Sequence, residues 1–172
     1  IKIMAIVSAL TNTFKAELLQ GGHNFKASGG NTFKLALFVN ATLGSTTTTY
    51  AAPADANAVP TNTNEVSDKT TDGGATATAY TAGGRTLVNS GVGTTTTTSF
   101  VSFTDLSVAA SNAWTSATFT TDGCMIYNTT APSANAVVCV VDFGGAKTVS
   151  NGTFSIEFPT NNATSAIIRL TS

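Results

Sequence analysis

The chain reads as mainly β, an antiparallel β-sandwich in one domain spanning residues 1–172, and three observations predict it. Thr, Ala, Ser, Gly and Asn dominate, which couples a β-branched strand former to turn formers. Short apolar segments recur through the second half of the sequence. Glycines, Pro132, Asp122-Gly123 and Asn151-Gly152 punctuate them, and Asp-Gly and Asn-Gly are strong turn signals.

The first element is an exception. Residues 8–20, "SALTNTFKAELLQ", place Leu10, Phe14 and Leu18 four apart and so on one helix face. Ser8 or Thr11 can cap its start, and Gly21 can supply the left-handed turn at its end. The apolar stripe can pack on its own domain or dock on a partner.

Residues 32–39, "TFKLALFV", alternate Phe33, Leu35, Leu37 and Val39 with Lys34, Ala36 and Phe38, which predicts a strand with a strongly apolar face. Residues 40–72 are long, rich in Ala, Thr, Asn and Pro, and poor in large apolar side chains. They predict an extended excursion or arm, broken by a short element at 64–66, with little burial in its own domain. Further strands are predicted at 75–80, 85–89, 95–103, 117–121, 124–128, 136–143, 153–158 and 166–170. Residues 136–143, "AVVCVVDF", are apolar on both faces and belong in a central strand. Threonine runs at 46–49 and 94–98 suit strands with a polar face or extended packed loops. Many short strands joined by tight turns suit an immunoglobulin-like or jelly-roll-like sandwich. The string "YTAGG" at 80–84 reads as a corner into strand 85–89, with Gly83 or Gly84 at positive φ and Tyr80 at the core edge with its hydroxyl hydrogen-bonded.

Charge narrows the function. Charged residues make up 10% of the chain and the net charge is −1, against roughly 25% charged residues in ordinary soluble domains. Basic residues do not cluster, so the footprint of nucleic-acid binding is missing. No apolar run reaches the roughly 18 residues of a membrane span, and no basic segment followed by an apolar one marks a secretory signal. Weak self-repulsion suits a subunit of an assembly. Met4 before the small Ala5 has the form of a translation start, so residues 1–3 are expected to come from an upstream start or from outside the native product.

No catalytic, cofactor-binding or metal-binding set emerges. His23 is the single histidine, follows Gly21-Gly22 at a helix end, and is expected at the surface or as a cap. Cys124 and Cys139 lack a C-x-x-C motif and fall within strands, as inert buried thiols would. Pairing Tyr127 with Ala136 in a hairpin would set Cys124 opposite Cys139. They are expected to stay reduced, because structural disulfides are rare in a reducing cytoplasm. The carboxylates Glu17, Asp55, Glu65, Asp68, Asp72, Asp105, Asp122, Asp142 and Glu157 are scattered, and nothing singles out an acid–base pair. Asp68 and Asp72 lack calcium-loop spacing. Gly29-Gly30, Gly83-Gly84 and Gly144-Gly145 match no phosphate-binding pattern.

Five strings appear in order: "NEV" at 64–66, "YTAGGRTL" at 80–87, "TFTTDGCMIYN" at 118–128, "VVDFGG" at 140–145 and "GTFSIEFP" at 152–159. Together with Phe14-Lys15, Leu18-Leu19, Gly21 and Phe33-Lys34, they resemble a family of small virion proteins of tailed bacteriophages and prophages. The stretch between "NEV" and "YTAGG" is longer here, and the threonine runs and low charge are less typical of that family. The resemblance implies a non-enzymatic virion protein without cofactors or a small-molecule substrate. Its expected role is a capsid decoration, or cement, protein: a homotrimer on the outer surface of the head, bound to the major capsid protein and assembled in the host cytoplasm. A tail or fibre component that binds a host surface is the alternative. A carbohydrate-binding β-sandwich module is a further one, disfavoured by one Trp and three Tyr.

Overall fold

The computed structural model describes residues 5–50, 64–66, 79–130 and 132–172. Its elements are β1 (Ala9–Leu10), α1 (Asn12–Leu19), β2 (Phe33–Phe38), β3 (Arg85–Leu87), β4 (Gly93–Thr94), β5 (Thr98–Val101), β6 (Trp114–Asn128), β7 (Val137–Phe154) and β8 (Ile168–Thr171). They form a five-stranded sheet, ordered β1-β7-β6-β2-β3, and a three-stranded sheet, ordered β4-β5-β8. Every strand pair is antiparallel. The mainly β, sandwich-like class with one short helix is therefore what the molecule has.

The five-stranded sheet is buried on both faces. On one face Phe33, Leu35, Leu37, Cys124, Ile126 and Val138 pack with Val101 and Ile168 of the smaller sheet and with Phe14 of the helix. On the other, Ala36, Phe38, Met125, Tyr127, Val137 and Val140 are covered by Ile6, Ala41, Leu43 and Tyr50. For 41–50 this corrects the little burial expected of the arm over 40–72. The alternate residues of β2, β6 and β7 are apolar too, so the sheet needs a second cover, and 41–50 provide it. Glu65 and Val66 are also buried. Residues 51–63 and 67–72 of that excursion, and 75–78 of the strand expected at 75–80, lie outside the described residues.

The helix is shorter than 8–20. Thr11 is the N-cap, its hydroxyl accepting the N–H of Phe14 at 3.1 Å. At the other end Gly21 has φ +75°, with Gly21 N–H bonded to Leu18 O at 3.2 Å and Gly22 N–H to Glu17 O at 2.8 Å. This double closure is a Schellman turn, and it terminates the helix. Phe14 points into the core, whereas Leu19 is 90% exposed.

The strands expected at 117–121 and 124–128 are one strand, β6, and the strand expected at 136–143 runs on as β7 to Phe154. The intervening dipeptides make bulges instead of reversals. Thr121 pairs with Lys147 and Gly123 with Asp142, so 143–146 bulge out opposite Asp122. Asp142 Oδ1 accepts the Gly144 N–H at 2.9 Å, and Gly144 and Gly145 take φ of +68° and +116°. A side chain at Gly123 would strike Ile6 and the Val141 carbonyl, so that glycine serves close approach. Beyond β7, Ile156 makes only an isolated bridge to Leu106. Of the strand expected at 95–103 only 98–101 form β5, while 95–97 turn the chain from β4, which precedes the expected strand, with Thr95 N–H bonded to Thr98 O at 2.8 Å.

The hairpin register also differs from expectation. Tyr127 pairs with Val137, Ile126 with Cys139, and Cys124 with Val141. Ala136 is instead bridged to Thr49, with Tyr50 N–H bonded to Asn135 O at 2.7 Å and Val137 N–H to Thr48 O at 2.9 Å. The covering segment thus claims the residue that would have faced Tyr127. A shift of two residues leaves both cysteines on one face, as diagonal neighbours.

Candidate functional site

A buried polar cluster is built on the edge of β2. Arg85 of β3 pairs with Leu35. Next along that edge, the Leu37 N–H donates to the hydroxyl of Tyr80 at 2.8 Å. Then Phe38 bridges to Glu65, and the Val39 N–H donates to Asn64 O at 2.9 Å. Three separate pieces of chain therefore satisfy one strand edge, and a side chain fills the middle position.

Glu65 is 0% exposed. Its Oε1 accepts the Tyr80 hydroxyl at 2.8 Å and the Gly83 N–H at 2.7 Å, and its Oε2 accepts the Tyr50 hydroxyl at 2.9 Å. The Tyr127 hydroxyl donates to Gly83 O at 2.8 Å, and the Tyr50 and Tyr127 rings stack at 4.2 Å. Burial drives the Glu65 carboxyl above the usual carboxylate range, against the pull of Tyr80, Gly83, Tyr50 and the Lys34 ammonium. Burial, and then the neighbouring Glu65 charge, push all three phenols up. Gly83 and Gly84 both have positive φ, at +86° and +69°. A side chain on Gly84 would run into the Leu35 carbonyl. "YTAGG" is thus a corner as expected, and its purpose is to clasp the glutamate of "NEV". In the sequence Glu65 stood among scattered acids, and the one signal was its place in the string "NEV" ahead of "YTAGG".

His23 is not at the surface: it is 8% exposed and packs among Phe14, Phe25 and Phe33. The Schellman turn directs the chain back over the core and carries the ring inward. Asn128 fixes its tautomer. The Asn128 Oδ1 accepts the Thr130 N–H, so its Nδ2 is the donor that lies 3.0 Å from His23 Nδ1. The ring proton therefore sits on Nε2, 3.0 Å from Glu17 Oε2. Burial lowers the His23 pKa, opposed by Glu17.

Beside this ring, α1 and the smaller sheet leave an open groove of about 520 Å³, lined by Phe14, Phe25, Val101 and Ile168. Val92 and Leu170 on its walls are 57% and 54% exposed, and Lys26 is the one lining residue with a permanent charge.

Cys124 and Cys139 are free and buried. Burial pushes the Cys139 thiol up to about 12, and burial with the neighbouring Cys139 lifts Cys124 well above the usual range. Neither has the thiolate character of a nucleophile. Among the described residues no three His, Cys, Asp or Glu side chains gather as a metal site, and no helix is long and apolar enough to cross a membrane. Asp55, Asp68 and Asp72 lie outside the described residues.

No family model matches the chain, and comparison with curated proteins and with solved structures finds no match.

Proposed function

We propose that the protein is a non-enzymatic structural protein of a tailed-phage virion. Its role in this reading is that of a capsid decoration, or cement, protein. It sits as a homotrimer on the outer surface of the head, bridging and stabilising major capsid protein subunits after assembly in the host cytoplasm.

The observation that supports this reading is how the strings resembling the virion family join. Glu65 of "NEV" accepts hydrogen bonds from Tyr80 and Gly83 of "YTAGG". Tyr127 of "DGCMIYN" donates to the same Gly83. The Asp142 of "DFGG" faces Gly123 across the long hairpin. Strings far apart in sequence thus form one connected scaffold, as expected if they are inherited together. The low charge and the open apolar groove suit subunit contact.

The carbohydrate-module reading fares worse. A sugar platform needs an exposed aromatic face. Trp114, Tyr50 and Tyr127 are buried, and Tyr80 is committed to Glu65 and Leu37.

The test is quantitative mass spectrometry of purified particles. A copy number comparable to that of the major capsid protein supports decoration. A small fraction of that number supports the tail or fibre alternative. Absence from particles overturns the virion reading.

A further inference from the structure

Three places in the sequence, Tyr50, 64–66 and Tyr80, meet at one carboxylate. Glu65 is bonded to both tyrosines. The three points of chain are therefore tied by side chains at a single buried atom group, beside the edge of β2.

We propose that Tyr50, Glu65 and Tyr80 form a proton-linked clasp, which fastens 64–66 to β2 most firmly when Glu65 carries a proton and loosens as it ionises.

The donor geometry explains why a proton is accommodated. The Oε1 atom accepts from Tyr80 and Gly83 in either state. At Oε2 the partner among the described residues is a hydroxyl, that of Tyr50. A hydroxyl both donates and accepts, so a proton on Oε2 reverses this bond without breaking it. The ionised form keeps all three bonds as an acceptor, but it must hold a full charge at a carboxyl that is 0% exposed. The titratable and charged groups facing the carboxyl are the Tyr50, Tyr80 and Tyr127 phenols and the Lys34 ammonium. The phenols stay neutral across the physiological range, and the Lys34 attraction is weaker than each of the hydrogen bonds. A fully buried carboxylate carries a desolvation cost that these bonds and the Lys34 charge only partly offset. Burial therefore raises the folded pKa above the unfolded one. By linkage the stabilisation is complete below the unfolded pKa and is lost as pH rises through the folded one.

Opening the clasp frees the N–H groups of Leu37 and Val39, whose acceptors are Tyr80 and Asn64. Amide hydrogen exchange, corrected for its intrinsic pH dependence, reads this directly. Protection of these two amides should fall as pH rises. The fall should be about tenfold for each unit by which the folded pKa of Glu65 exceeds the unfolded one. Glu65→Gln keeps an acceptor for Tyr80 and Gly83 and an amide N–H for the Tyr50 oxygen, and should abolish the dependence. Flat or rising protection in the wild-type protein overturns the proposal, as does a Glu65→Gln protein that keeps the wild-type slope. Should that variant not fold, carbon-detected NMR titration of the wild-type Glu65 carboxyl decides. A midpoint above the ordinary glutamate range supports the clasp, and one within or below it overturns the clasp. These readouts use the free protein, so they stand or fall independently of the virion role.

Discussion

The Tyr80 hydroxyl accepts the backbone N–H of Leu37 at 2.8 Å, on the edge of β2 beyond its last pairing with β3, that of Leu35 with Arg85. The same oxygen donates to Glu65 Oε1 at 2.8 Å. One phenol therefore fills a gap in a sheet edge and anchors a buried acid. Removing it leaves an unsatisfied backbone donor and an under-bonded carboxyl together, and a buried unsatisfied group costs about 1–3 kcal/mol. Tyr80→Phe should destabilise the fold by about 2–4 kcal/mol. Tyr127→Phe, which loses only its bond to Gly83 O, should cost about 1 kcal/mol. Urea denaturation of the two variants checks this order.

Gly84 tests the corner. At φ +69°, with the Leu35 carbonyl where a side chain would stand, Gly84→Val should cost at least about 2 kcal/mol through backbone strain and collision. Gly83→Ala should be milder, because its nearest neighbour is the flexible end of Lys34 at 3.2 Å. Equal and negligible effects at both positions would remove the corner.

Buried His23 has a folded pKa below its unfolded value of about 6.5. The unfolded chain therefore binds the proton first as pH falls. The contribution of His23 is complete above about pH 6.5 and is lost as pH drops towards the folded pKa. This is opposite in sign to Glu65, so the two are separable by variant. In His23→Gln the loss of stability as pH falls below about 6.5 should shrink. Imidazole NMR should show a midpoint below the ordinary histidine range.

The thiols of Cys124 and Cys139 should not react with a disulfide reagent in the native protein, and both should react after denaturation. Their burial and raised pKa values leave almost no accessible thiolate. Rapid modification of either in the native state, or a mass two hydrogens lighter, would contradict this.

How legible the fold was depends on whether a feature is local. The cap at Thr11, the Gly21 turn and the alternating apolar residues of β2 are written in neighbouring residues, and so is the positive φ at Gly83 and Gly84. The cover over the second sheet face was not, because Ala41, Leu43 and Tyr50 are spaced irregularly and gain meaning only against Phe38, Met125 and Val140. Asp122-Gly123 and Gly144-Gly145 carry the chemistry of a reversal, yet the opposite strand turns them into bulges. Glu65 was invisible as a site because its partners lie 15 and 18 residues away. His23 was misplaced because its core position depends on where the Schellman turn aims the chain.

We propose for this sandwich the role of a subunit of the phage head exterior. The most direct measurement is a cryo-electron microscopy reconstruction of the particle, compared with one from a host expressing no copy of this chain. The account predicts density matching the two-sheet fold at junctions between major capsid protein subunits, present only when the chain is made. Identical heads in the two reconstructions, or the density confined to the tail, would contradict it.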